Sequence, residues 1–309
     1  RLGAAPGPLR PDQGDAAAAR PEAGPDASGE RSRDLLIAPG CYDCLTARLV
    51  ETAGFEAAYV SGAGVSISAL GVPDMGLMSF SEVLDRVARI CDVTTIPVIA
   101  DGDTGFGGPL NMMRTVRGFE RAGVSAIQIE DQLSPKRCGH EPGRQVVPVA
   151  EMQDRIKAAC DAREDGDFMI IARTDARSAH GLQEAIDRVG AYREAGADVL
   201  FVESPESEAE LAAIGAAFPG IPLLANMVER GRTPLLSAAR LKALGFALAI
   251  YPNALTRLFA AQGAALLADL AQSGSTGGRL EDMLGHDALW SLFSRDDWVS
   301  LETRYGVQR

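Results

Sequence analysis

The chain is expected to fold as an α/β protein of the (β/α)8 TIM-type barrel class, on three observations. Eight short apolar runs rich in Ile, Val and Leu carry a polar residue or glycine at or next to their end: 35–40, 57–62, 97–103, 126–131, 168–175, 199–204, 222–227 and 248–253. They are apolar on both faces, as strands buried in a parallel sheet are. Segments of helical spacing separate them, and a weak repeat marks each hand-over from helix to strand: TAGFEAAYV (52–60), RAGVSAIQI (121–129), EAGADVLFV (194–202) and ALGFALAIY (243–251). In every copy a glycine stands where a helix end requires the left-handed conformation. Eight strands over about 220 residues favour a closed barrel, with a doubly wound open sheet as the alternative. A dinucleotide-binding sheet would carry G-x-G-x-x-G after a strand, and SGAGVS at 61–66 lacks the third glycine.

Taken in order, residues 1–33 are dominated by Ala, Pro and Gly with scattered charge, too little apolar surface to offset ordering entropy, so disorder is expected there. Asp12, Asp15, Glu22 and Asp26 argue against an organelle transit peptide, and no secretory leader is expected. The barrel is expected over 34–274. Within it Ser79 and Glu82 have the spacing of a capping box before Val83, Leu84, Val87 and Ile90. A helical segment is expected over 275–309, where Leu289, Trp290, Phe293, Trp298 and Leu301 concentrate large apolar groups beyond the last strand. Such groups need a surface to cover, either a neighbouring subunit, which predicts an oligomer, or the chain's own barrel.

Composition narrows the partners. Thirty Lys and Arg against 42 Asp and Glu leave a net charge of −12, which disfavours nucleic acid. No apolar run reaches the roughly 18 residues of a membrane helix, so no membrane association is expected. Five cysteines, an odd number, suggest a reducing cytoplasm. Cys41 and Cys44 form a C-x-x-C, read as two partly buried small residues because no second pair stands at metal spacing.

In a barrel of this kind the site gathers at the C-terminal strand ends. Those ends carry Tyr59, Ser61, Gly62 and Ala63, then Asp101 and Asp103, Glu130 and Asp131, Arg173 and Asp175, Glu203, Asn226 and Tyr251. Converging carboxylates repel unless a cation compensates them. Asp101-Gly102-Asp103 suits an oxygen shell for Mg²⁺ or Mn²⁺, although D-G-D also makes a good turn. Lys136-Arg137-Cys138-Gly139-His140 sets a thiol beside two cations, which favours its thiolate; a basic surface loop is the plainer alternative. Arg173 has the planar fork that clamps a substrate carboxylate. His180 and His286 are read as surface or helix-end residues.

VSGAGVS, ADGDTGFG, IEDQ, K-R-C-G-H and ARTDA, in this order and spacing, resemble the isocitrate lyase and phosphoenolpyruvate mutase superfamily over roughly residues 35–270. Within it the likeness is nearest to 2-methylisocitrate lyases and to the 2,3-dimethylmalate lyase and oxaloacetate hydrolase group. The resemblance implies a barrel whose C-terminal helices swap between subunits of a homotetramer. It implies Mg²⁺ held by Asp101 and Asp103, with Asp74 and Glu130 nearby through water. Ser61, Gly62 and Ala63 would hold a keto-acid end, and Cys138 would donate a proton with Gly139 and His140 beside it. Arg173, Glu203, Asn226 and Arg257 would line the substrate pocket, and Tyr59 would assist at the substrate hydroxyl.

The implied chemistry is cleavage of a 2-hydroxy di- or tricarboxylate to pyruvate and a second carboxylate. Oxaloacetate hydrolysis, phosphonate chemistry and a catalytically silent metabolite-binding barrel are the alternatives. Relatives that need no carbon protonation tend to lack the cysteine, so Cys138 points to a lyase. His286 where methylisocitrate enzymes have an arginine, and the stretch Asn226–Pro234, both point to a dicarboxylate such as an alkylmalate.

Overall fold

The structure is a computed structural model that describes residues 35–139, 141 and 143–306. The expected disorder of 1–33 and the site residue His140 lie outside the described residues.

Eight strands close into one parallel barrel in sequence order. They are β1 (Leu36–Cys41), β2 (Ala58–Val60), β3 (Val98–Asp101), β4 (Ala126–Glu130), β5 (Met169–Thr174), β6 (Val199–Val202), β7 (Leu223–Asn226) and β8 (Leu248–Tyr251). Each falls within one of the apolar runs or overruns it by one residue. Closure is the pairing of Leu36 with Leu248 through Pro39 with Tyr251. At that seam glycine is required: a Cβ on Gly40 would lie 2.0 Å from the Pro252 carbonyl oxygen.

Strand alternation splits the core in two. Ala38, Tyr59, Ile99, Ala126, Ile171, Phe201, Leu224 and Ile250 pack together inside the barrel. Their neighbours Ala100, Ile127, Ile129, Ile170, Ala172, Leu200, Val202 and Ala225 face the helices in the larger outer cluster. Because side chains repeat every second residue, the inward set continues at the strand ends through Asp101, Gln128 and Glu130, Arg173 and Asp175, Glu203 and Asn226. The inside of the barrel is therefore apolar at the bottom and charged at the top.

The helix-to-strand repeat has a conformational cause. Gly54, Gly123, Gly196 and Gly245 take φ of 82°, 91°, 115° and 93°, each one residue past a helix C-cap. The expected capping box opens the helix Phe80–Val93, with Ser79 and Glu82 bonded reciprocally.

By contacts, Leu35–Gly263 forms one compact unit and another begins at Ala264, within the helix Ala254–Ser273. The later segment holds a 3-10 turn, Gly277–Asp282, and the helices His286–Ser291 and Arg295–Arg304. Leu280, Leu284, Trp290 and Trp298 are exposed there. By length and mean hydropathy alone Ala254–Ser273 could cross a membrane. Its uncharged stretch, 258–268 between Arg257 and Asp269, is well short of the roughly 20 residues a span needs.

Candidate active site

The charged top of the barrel is assembled from strand ends and one long loop. After β4 the chain leaves the sheet and returns at Val146, where an isolated bridge pairs it with Gln132. Gln132 also braces this loop internally: its side chain accepts from the Arg137 amide at 2.9 Å and donates to the Arg137 carbonyl at 2.8 Å. The loop carries Lys136, Cys138 and Gly139 over the barrel mouth.

Lys136 is buried, and its ammonium lies 2.5 Å from Asp74 Oδ1 and 2.6 Å from Asp103 Oδ1. Burial alone would lower its pKa, but Asp103 and Asp74 outweigh that and hold it well above its ordinary value. Burial raises Asp103 to about 6, with Lys136 pulling the other way. Asp101 accepts from the Asp103 amide at 3.1 Å, from Gln128 Nε2 at 3.4 Å and from the Gly62 amide at 3.3 Å. That last contact is made at the N-terminus of the helix Gly62–Leu70, which Ser61 caps by accepting from the Gly64 amide. Glycine at 62 is needed: a Cβ there would lie 2.8 Å from Asp101 Oδ2 and 3.4 Å from Asp103 Oδ1.

A second group surrounds Arg173. Asp175 binds its guanidinium at both ends, Nε and Nη2 each at 2.9 Å. Its Nη1 faces Glu130 at 3.3 Å and Glu203 at 3.6 Å. Burial would lower the guanidinium pKa, but Asp175, Glu130 and Glu203 keep it well above its usual value. Burial raises Glu130 well above the carboxylate range, Arg173 opposing it. Asn226 donates to Glu203 at 3.0 Å. Gly139 closes over this group: a Cβ on it would meet Arg173 Nη2 at 2.4 Å and Glu203 Cδ at 2.9 Å.

A small cavity of about 30 Å³ joins the two groups, with Tyr59, Ser61, Ala63, Asp74, Asp101, Cys138, Gly139, Arg173 and Asn226 in its wall. That volume suits about one water. Asp103 and Lys136 instead face a neighbouring cavity of about 430 Å³ beside Phe106 and Arg114. Glu130 and Glu203 are buried beneath Arg173. Arg257 is not brought in: it is exposed, and its guanidinium donates to the Glu229 carbonyl. His180 and His286 are exposed, as expected.

Tyr59 is buried, and its hydroxyl donates to Gln128 Oε1 at 2.6 Å. With its one proton so engaged, it offers a neighbour only an acceptor lone pair. Burial raises its pKa well above 10, so it stays un-ionised.

Gln128 and Arg144 are site residues with no place in the sequence expectation, whereas Asp131, expected at the mouth with Glu130, is turned away from it. Gln128 carries a readable signal, since it stands two residues before Glu130 on the inward face of β4. Asp131 is on the outward face, accepting from Thr174 at 2.7 Å, Tyr192 at 2.7 Å and the Asp175 amide at 2.9 Å. Arg144 has no sequence signal: its contact with Asp175 exists only because the loop folds back.

Could this set hold a metal? Among the described residues, no three Asp, Glu, His or Cys side chains close on one point. Asp101 Oδ2 and Asp103 Oδ1 still come within 3.4 Å of where a Cβ on Gly62 would stand, and the buried Glu130 Oε1 has no hydrogen-bond partner among the described residues. One or two carboxylates with the remaining positions left to water and substrate is how Mg²⁺ is usually held, so the residues fit it.

Closed parallel barrel, inward charge confined to the strand C-termini and a thiol-bearing loop across the mouth together define a (β/α)8 enzyme. Residues 30–271 match the phosphoenolpyruvate phosphomutase family, and the chain belongs to it, within the isocitrate lyase and phosphoenolpyruvate mutase superfamily. It is an enzyme of the lyase type found there.

The 2,3-dimethylmalate lyase of Eubacterium barkeri is 45% identical over 278 residues, covering 90% of this chain and 96% of that protein. Among solved structures, an oxaloacetate acetylhydrolase in complex with the inhibitor 3,3-difluorooxalacetate has a TM-score of 0.86 at 36% identity, covering 90% of this chain and 95% of the other. A phosphonopyruvate hydrolase in complex with oxalate and Mg²⁺ has a TM-score of 0.79 at 33% identity, covering 88% and 94%.

Proposed function

We propose that this lyase cleaves the C2–C3 bond of a 2-hydroxy dicarboxylate of the alkylmalate type, releasing pyruvate and a second carboxylate, with Mg²⁺ as its cofactor. The observation that carries this reading is the single cavity that brings Cys138 together with Asp101 and Arg173. Identity to the dimethylmalate enzyme and the Mg²⁺ in the phosphonopyruvate hydrolase complex support it.

Asp101 and Asp103 would hold the cation, with Asp74 and Glu130 reaching it through water. When bound, it supplies electrostatic polarisation of the hydroxyl and carboxylate oxygens of the substrate. Ser61, Gly62 and Ala63, at a helix N-terminus, hold the carboxylate that becomes that of pyruvate. Tyr59 accepts a hydrogen bond from the substrate hydroxyl. That hydroxyl passes its proton to solvent water, C2 becomes the keto carbon, and the C2–C3 electron pair leaves with the departing fragment. Arg173 offsets the charge that grows on the fragment's carboxylate, and the Cys138 thiol gives its proton to C3.

The test is pyruvate release from a panel of alkylmalates and 2-methylisocitrate, read through a coupled lactate dehydrogenase assay. Turnover is expected to vanish with EDTA and to fall about 10²-fold or more in Cys138→Ser. No pyruvate from any member of the panel overturns the substrate assignment. The fold match to oxaloacetate acetylhydrolase favours one second reading, hydrolysis of oxaloacetate, which oxalate appearing from that acid would establish.

We also assign the exposed Leu280, Leu284, Trp290 and Trp298 to a contact with further copies of this chain in a homotetramer. Truncation after Gly274 should then lower the number of copies in the assembly, read from its mass, and an unchanged copy number rules this out.

A further inference from the structure

Asp175 lies where the active-site arginine meets the loop that bears the thiol. It is wholly buried and receives two guanidinium groups. Arg173 approaches along the strand, through Nε to Oδ2 and Nη2 to Oδ1. Arg144 approaches from the returning arm of the loop, with its Nη1 on the same Oδ1. Its side chain is as buried as Asp175, and its Nε donates to the Glu141 carbonyl at 3.1 Å, three residues past Cys138. The Glu141 amide in turn donates to the Cys138 carbonyl at 2.9 Å. A continuous chain of bonds therefore runs from Cys138 through Glu141, Arg144 and Asp175 to Arg173.

The other supports of the loop do not duplicate this chain. Lys136 ties its outgoing arm to Asp74 and Asp103, on the opposite side of the cavity. Ser204 donates to the Gly139 carbonyl at 2.9 Å, a single neutral bond. Gln132 braces the loop against itself and not against the barrel. Val147, further along the returning arm, bonds Asp131 and Arg188 behind the sheet; among the described residues only Arg144 joins that arm directly to the carboxylate that aims Arg173.

We infer that Arg144 is a positioning residue: through Asp175 it holds the Cys138 loop and the Arg173 fork in one fixed relation. Resting on the lyase reading for its kinetic meaning, the assignment concerns geometry that holds whatever the substrate proves to be. Arg144 touches no reacting atom. Replacing it removes one of two cations on a buried carboxylate and frees the loop's returning arm, while leaving the thiol and Arg173 chemically intact.

The experiment compares wild type with Arg144→Gln and Arg144→Lys in the full-length Mg²⁺-loaded protein. The rate of Cys138 alkylation by iodoacetamide is followed by mass spectrometry of the Cys138 peptide, which separates it from the four other cysteines. In Arg144→Gln alkylation is expected to be about 5-fold faster and kcat about 10-fold lower or more, with KM changing less than kcat. Lysine keeps the charge on Asp175 but cannot also bond the Glu141 carbonyl with its fork, so Arg144→Lys should alkylate about 2-fold faster and recover part of kcat.

A folded Arg144→Gln that alkylates at the wild-type rate overturns the assignment. If that variant does not fold, Arg144→Lys decides, and a wild-type alkylation rate in it overturns the assignment equally. Because alkylation needs no substrate, failure of the lyase reading would appear separately, as absent pyruvate in the wild type.

Discussion

Lys136 reaches Asp103 across 2.6 Å in the wall of the larger cavity and also pairs with Asp74, which lines the smaller one, so the active site contains its own cation. This ammonium compensates two carboxylates that would otherwise repel one another in a buried setting. Removing one partner of such a pair costs about 3–5 kcal/mol, mostly as uncompensated charge. Lys136→Met is therefore expected to lower the melting temperature by several degrees in EDTA, and Mg²⁺ should restore part of the loss by returning positive charge. Differential scanning calorimetry with and without the metal measures both, and an unshifted transition in EDTA would refute the compensation argument.

Metal binding should depend on pH through Asp103. Burial raises this carboxyl from its ordinary 3.8 to about 6 in the fold. Between those values the folded state takes up a proton that the unfolded state does not, so this group's contribution to metal-free stability grows as pH falls through that window. Cation binding must expel the same proton. The affinity for Mg²⁺ should thus fall by up to about tenfold per pH unit below 6 and level off above 7. Titration calorimetry at about pH 7.5, 6 and 5 checks this, and an affinity independent of pH would exclude Asp103 from the cation's surroundings.

Gly139→Ala tests how closely the loop is fitted. The new methyl would sit 2.4 Å from Arg173 Nη2 and 2.9 Å from Glu203 Cδ, so either the fork or the loop must give way. Overpacking of this kind costs about 1–3 kcal/mol. A displacement of about 1 Å in the fork is enough to lower kcat/KM about 10²-fold. Steady-state kinetics beside a thermal melt separate the two effects, and full activity would mean that the loop clears the arginine during turnover.

The outer polar layer should behave differently. Tyr192 donates to Asp131 at 2.7 Å behind the sheet, away from the cavity. Tyr192→Phe leaves that buried carboxylate one donor short, at a cost of about 1–3 kcal/mol in urea unfolding. Arg188, Thr174 and the Asp175 amide still hold Asp131, so kcat/KM should stay within about threefold of wild type.

The barrel was readable because its signals are local. Each buried strand needs its own apolar run, and each return needs a residue such as Gly54 or Gly245 that tolerates positive φ. Much of the site follows the same logic, because residues two apart share a face: once Ile99 and Ile171 point inward, Asp101 and Arg173 must as well. The partnership of Lys136 with Asp74 is another matter. Those residues stand on separate loops, and no spacing in the chain records how a loop lies over a barrel mouth. Arg257, a residue type suited to an anion, is placed by the structure at the surface on the Glu229 carbonyl.

The glycine turns at 54, 123, 196 and 245 all lie where helices enter strands, at the rim opposite the charged mouth. Chemistry and scaffold thus occupy opposite poles of the barrel. Grafting an affinity handle or reporter into that far rim, or tethering the barrel to a bead by it, should spare the reactive pole and leave each mouth open to the surrounding liquid.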